Sequence, residues 1–152
     1  VSDRVLLAVF ATPVASFLLR YGKDLGYTPV LFDPDGARVT DVDGDFESLT
    51  TVPELGPDTD VVVTDHNRPE LGEALKAVLD RPTRWVGVLG NPRHAGPHVA
   101  ALEALGVPDD EIARVHRPVG LNIGSRTPPE IAVATLAGLV ADRNGRPGGF
   151  EF

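Results

Sequence analysis

The sequence predicts an α/β fold with a doubly wound, mostly parallel, Rossmann-like sheet in three layers, α/β/α. Two observations carry this. Val5-Leu6-Leu7-Ala8-Val9-Phe10, Pro29-Val30-Leu31-Phe32, Asp60-Val61-Val62-Val63-Thr64 and Trp85-Val86-Gly87-Val88-Leu89 are short, nearly continuous apolar runs, the pattern of strands buried on both faces. Segments of helical periodicity alternate with them, and strand-helix alternation implies parallel crossovers rather than hairpins.

In order, the first run leads into Val14, Phe17, Leu18, Tyr21 and Leu25 at helical spacing, with Thr12 and Pro13 as start signals and Gly26 as a stop. The second run ends at Asp33, and the Asp/Gly-rich segment 33–45, with Arg38-Val39-Thr40 inside it, reads as a loop or an edge strand. The third run is followed by a helix over 69–79, and the fourth by a helix over 97–105 closed by Gly106. Thr127-Pro128-Pro129-Glu130 forms a Thr-x-x-Glu capping box with prolines in the first turn, and the final helix runs on through 131–140. No repeat or linker interrupts 1–152, which reads as one domain, with a tail over 144–152 expected to be mobile or docked on a partner.

At 152 residues and 42% apolar content, the chain can bury a core of its own. The apolar stretch from Val5 to Leu19 is shorter than a membrane crossing and is broken by Thr12, Pro13 and Ser16; it reads as core, with no membrane partner. The absence of cysteine excludes disulfides, thiolate metal sites and a cysteine nucleophile, and is simplest in a cytoplasmic setting. A formal charge of -8 argues against a nucleic-acid partner. The acidic groups are spread along the chain, a balance found in salt-adapted proteins and in ordinary acidic ones alike.

In a sheet of this kind ligands bind outside the carboxyl ends of the strands. Four such loops can be named: Phe10 to Ala15, Thr64 to Arg68, Gly90 to Arg93, and Gly120 to Thr127. In the first, Phe10, Thr12 and Ala15 occupy the slots of a dinucleotide Gly-x-Gly-x-x-Gly turn, so the phosphate-binding glycines are missing; Asp33 could still accept from a ribose hydroxyl, or be a turn residue only. Asp65 and His66 offer a carboxylate beside an imidazole, for proton transfer or ligand binding, with a capped turn as the plainer alternative. Arg93, after Gly90 and Asn91, could clamp an anion or form a surface ion pair; His116 and Arg117 precede the Pro118-Val119-Gly120 turn, where Arg117 could meet a ligand anion or an acidic neighbour. His94 and His98 have the spacing of a helical metal pair, but Gly96 and Pro97 lie between them, and no metal site is expected. Gly120 and Gly124, upstream of the Thr127 cap, would let backbone approach an anion at the positive end of that helix. No catalytic residues are predicted.

Thr64-Asp65-His66, the run from Trp85 to Arg93 and the long stretch from His116 through Ala132 together resemble the carboxyl-terminal Rossmann domain of the xanthine dehydrogenase accessory (XdhC/CoxI) family. The resemblance covers nearly all of the chain in order. It implies a non-catalytic chaperone that binds molybdenum cofactor and helps mature xanthine dehydrogenase or carbon monoxide dehydrogenase-like enzymes. On that reading the pterin phosphate sits at the Thr127 helix, with Gly120, Asn122 and Gly124 supplying close backbone and Arg93 a counter-charge. Asp65, His66, Gly90, Asn91 and His116 complete the crevice. The expected partners are a molybdenum hydroxylase or another maturation-factor chain, and a second copy as a homodimer. The alternatives are an NAD(P)-dependent oxidoreductase using the same crevice, and a scaffold or regulatory subunit without a ligand. The family's glycine turn is replaced here, Arg117 stands where a cysteine often follows the motif's histidine, and the family's separate amino-terminal domain lies outside these residues.

Overall fold

The computed structural model describes residues 4–91, 93, 96–150 and 152. Apolar runs too short for helices become the central strands, β1 (Val5–Val9), β2 (Thr28–Phe32), β4 (Thr59–Val63) and β5 (Trp85–Val88), while β3 (Glu47–Leu49) and β6 (Val115–His116) form the edges. All pairings are parallel, in the order β3-β2-β1-β4-β5-β6. The chain builds outward from β1 to β3, then crosses to β4 on the other side of β1. The strand order therefore reverses between β1 and β4, and a crevice opens outside their carboxyl ends.

Alternation along the strands divides the core in two. Leu6, Ala8, Leu31 and Val62 pack against α1 (Pro13–Asp24) and α6 (Pro128–Arg143) on one face. On the other, Leu7, Val9, Val61, Val63, Val86 and Val88 meet side chains of α3 (Leu71–Leu79), α4 (Pro97–Ala104) and α5 (Asp109–Ile112). Side chains such as Leu6, Leu7 and Leu75 are wholly buried, each worth about 1.5–3 kcal/mol relative to exposure. The three-layer doubly wound fold expected from the sequence is observed.

The segment over 33–45 is neither a plain loop nor a strand at Arg38-Val39-Thr40. It contains the short helix α2 (Gly36–Val39), because the Asp35 carboxylate accepts from the Ala37 N–H and caps the turn. The edge strand instead falls at β3, paired with Val30–Phe32. In the tail, the Arg146 N–H returns to the Ala141 carbonyl (2.8 Å), while Phe150 and Phe152 are fully exposed.

At the amino ends of the strands, the buried Asp60 accepts from the Tyr27 hydroxyl (2.6 Å), Arg84 Nε (2.6 Å) and Arg143 Nε (3.0 Å). This network anchors the last turn of α6 to β4. Burial, reinforced by the Asp60 carboxylate, pushes the Tyr27 hydroxyl pKa up to about 12. No described helix is long and apolar enough to cross a membrane.

Candidate functional site

The β1 to α1 turn keeps the backbone shape of a glycine turn without the glycine. Phe10 has φ +78°, a conformation that a bulky residue adopts at a cost of about 1–3 kcal/mol. Its ring is completely buried beneath the Arg68 guanidinium, 4.4 Å from the centroid, and its carbonyl lies 2.9 Å from the Thr64 hydroxyl. The Thr12 side chain accepts from the Ala15 N–H as the cap of α1 and donates to Thr64 Oγ1 (2.9 Å). The polar groups of this turn thus hold β1 to β4.

Asp33, at the end of β2, has no solvent exposure. Its two oxygens accept from Arg68 Nη1 and Nη2 at 2.8 Å each, and from the N–H groups of Ala11 and Asp35 at 2.9 Å each. A carboxylate has about four lone-pair sites, and these contacts use them. Asp33 is therefore committed to the protein and has no acceptor left for a ribose hydroxyl. Burial alone would raise its pKa, but the hydrogen bonds from Arg68, Ala11 and Asp35 outweigh it and hold the carboxyl below its ordinary value. Arg68 also pairs with Glu70 (2.9 Å) and stays charged, its own pKa raised chiefly by the hydrogen bond to Asp33.

At the end of β4, Asp65 accepts from the Asn67 N–H (2.9 Å), so its carboxylate closes the local turn. His66 points the other way. Its Nδ1 lies 3.1 Å from the Leu89 carbonyl oxygen; a carbonyl can only accept, so Nδ1 is the donor and Nε2 takes no part in this bond. This bond ties the ends of β4 and β5. Beyond β5, the Asn91 side chain accepts from the Arg93 N–H (2.9 Å), and exposed Arg93 has no ion pair among the described residues. His94 lies outside the described residues, and no group of metal-ligating side chains occurs among those described.

Gly90 departs from the role the sequence suggested. A Cβ there would fall 2.4 Å from Arg117 Cζ, so the glycine makes room for the Arg117 guanidinium rather than for ligand. Arg117 Nη2 donates to the Asn91 carbonyl (3.2 Å), while Nε and Nη1 are buried without a partner among the described residues. Beside them lies His98, 6% exposed, whose Nδ1 is likewise unpartnered. His116 projects to the opposite face of β6 and stacks on Trp85, with ring centroids 4.9 Å apart and an interplanar angle of 7°.

The loop into α6 also corrects two expectations. Gly120 (φ +90°) packs on the helix: an added Cβ would lie 2.9 Å from the Ala134 backbone, and the Leu121 N–H donates to the Ala134 carbonyl (3.1 Å). Its missing side chain serves this packing. The capping box is present, with Thr127 Oγ1 accepting from the Glu130 N–H and Glu130 accepting from the N–H groups of Thr127 and Arg126. The Ile131 N–H is bonded to the Thr127 carbonyl. Because Pro128 and Pro129 have no N–H, the first turn has no backbone donor free for an anion. The Glu130 carboxylate itself faces that positive end, and the hydrogen bonds from Arg126 and Thr127 lower its pKa. Asn122 and Gly124 are exposed, and Gly124 (φ +71°) has open space around its Cα.

The family model of the XdhC Rossmann domain matches residues 6–139. The chain belongs to the XdhC family. The uncharacterized protein YqeB of Escherichia coli is 38% identical over 104 residues, which is 68% of this chain but 19% of YqeB. A crystal structure from Bacillus halodurans, described as a xanthine dehydrogenase, superposes with a TM-score of 0.69 at 22% identity, covering 94% of this chain and 45% of that one. The chain thus spans less than half the length of either relative.

Within this XdhC Rossmann domain, two concavities lie away from the crevice. A cleft of about 220 Å³ is lined by the Gly120-Leu121 turn together with Trp85, Thr135, Gly138 and Asp142 among others. An apolar groove of about 500 Å³ runs between α1 and α6 over Tyr21, Leu25, Val133, Leu136 and Val140. Neither holds a residue expected from the sequence to bind ligand, apart from Gly120 at the rim of the first.

Proposed function

We propose that this XdhC-family domain is a binding module, not a catalyst, that holds molybdenum cofactor during the maturation of a molybdenum hydroxylase, as the family resemblance implies. One observation favours this over an NAD(P)-dependent oxidoreductase. The acidic residue at the end of β2, which a dinucleotide ribose would need, is saturated by Arg68 and two backbone N–H groups. The crevice outside β4, β5 and β6 still carries polar groups suited to a pterin. They are His66 Nε2, the exposed amide of Asn91 and Asn122. The cofactor would bring its own metal chemistry; the domain's part is to orient and shelter it. Its partner is proposed to be the client enzyme or another maturation chain, in the cytoplasm, with self-association as a homodimer.

The test is a titration with molybdenum cofactor followed through Trp85, the single tryptophan, whose ring is stacked on His116. Saturable quenching by the cofactor and none by NADPH is the expected result. Quenching by NADPH alone would replace this reading with the oxidoreductase one, and silence from both would leave a scaffold role.

A further inference from the structure

The geometry points to an oxyanion pocket at the amino end of α4, in which Arg117 Nε and Nη1 and His98 Nδ1 hold the phosphate of a phosphate monoester. The strongest support is a set of donors that the protein buries and leaves unanswered. Among the described residues Arg117 makes one hydrogen bond, to the Asn91 carbonyl; Nε and Nη1 are shielded from solvent and have no partner there. The described residues give Arg117 no ion pair. A half-buried guanidinium with two shielded nitrogens and no counter-charge among the described residues is a natural partner for an anion, and its geometry matches two oxygens of a phosphate.

His98 is an independent second observation. It is 6% exposed, its Nδ1 has no partner, and the ring lies beside the N-cap of α4: a Cβ on Gly96 would sit 2.6 Å from that nitrogen and 3.2 Å from Arg117 Cδ. Gly96 and Gly90 are thus both small where these two side chains must lie together. Gly96 supplies no side-chain cap, so the eight-residue helix presents its positive end on the same side. Burial, aided by the nearby Arg117 charge, lowers the His98 pKa. Strand topology places the pocket next to the crevice, since Arg117 follows β6 and Gly90 follows β5. The assignment to a monoester, as the terminal phosphate of a pterin cofactor, rests on the proposed function; the anion pocket itself does not.

The experiment titrates the whole chain with inorganic phosphate while the His98 Hε1 resonance is followed by NMR, and repeats it with Arg117→Gln. Saturable movement of the His98 signal is expected, with affinity falling about tenfold or more in Arg117→Gln. Because the wild-type resonance is itself a readout, a variant that fails to fold does not remove the test. No saturable shift in the wild type, or unchanged affinity in folded Arg117→Gln, overturns the pocket. Molybdopterin is then compared with its dephosphorylated form: weaker binding of the latter to the wild type but not to Arg117→Gln identifies the monoester as the ligand. Equal binding of the two forms overturns that assignment and restricts the pocket to free phosphate. If phosphate binds and molybdopterin does not, the proposed function fails while the pocket stands. The reverse outcome overturns the pocket and leaves the function.

Discussion

Arg68 is the residue on which the crevice floor depends. It neutralises Asp33 and covers Phe10, whose φ of +78° persists because its surroundings over-determine it. Arg68→Leu leaves a buried carboxylate without its partner and is expected to cost about 3–5 kcal/mol in urea unfolding. The double change Asp33→Leu with Arg68→Leu should cost less than Arg68→Leu alone, and a larger loss in the double variant would contradict the pairing. The pH dependence has a definite sign. With the Asp33 pKa held below its ordinary 3.8, its contribution is complete above that value and is lost as pH falls through the folded-state pKa. Asp33→Asn should therefore flatten the acid limb of a stability profile below about pH 4. Two glycines separate packing from openness in the same way. Gly120→Ala meets the Ala134 backbone and should lose about 2 kcal/mol or more, whereas Gly124→Ala, with free space, should lose only about 1 kcal/mol by thermal unfolding. Similar losses at both would show that Gly120 is not gripped by α6.

At the scale of elements, the capping box of α6 is exposed, so Thr127→Ala should lower stability by about 1 kcal/mol without altering the crevice, as denaturant midpoints would show. That helix start was legible because its signal is local, lying wholly within Thr127 to Glu130. The central strands were legible for a similar reason, since burial on both faces leaves a continuous apolar run. The two residues of β6 have no such run; they are a strand because Val115 and His116 register with Val86 and Gly87. Helix α2 was hidden by Val39, which suggested an edge strand while the Asp35 cap favoured a turn. In the site, the sequence singled out Asp65, His66 and Asn91 at strand ends, where they lie. It did not foresee Arg68 gripping Asp33 across 35 positions or His98 beside Arg117, because pairing at that distance leaves no spacing to read. The one available hint was Arg68 itself, a charged residue between a strand end and Pro69. The anion expectation at Thr127 failed because the prolines that mark a helix start also remove the donors that an anion would need.

For the whole molecule, a formal charge of -8 spread over the surface implies self-repulsion that salt should screen. The melting temperature should rise from low to molar KCl, and a flat profile would contradict this. The fold concentrates its uncommitted polar groups at the carboxyl ends of β4, β5 and β6, while the amino ends are locked by the Tyr27, Asp60, Arg84 and Arg143 network. That asymmetry is the reason the proposed ligand site is put at the carboxyl ends of the sheet. The most direct measurement is a ¹H–¹⁵N NMR titration of the 152-residue chain with molybdenum cofactor. The account predicts saturable amide shifts confined to Asp65–Asn67, Gly90–Asn91, Gly96, His98, His116–Arg117 and Leu121–Gly124. Shifts centred on the apolar groove between α1 and α6, or no shifts at saturating cofactor, would contradict it.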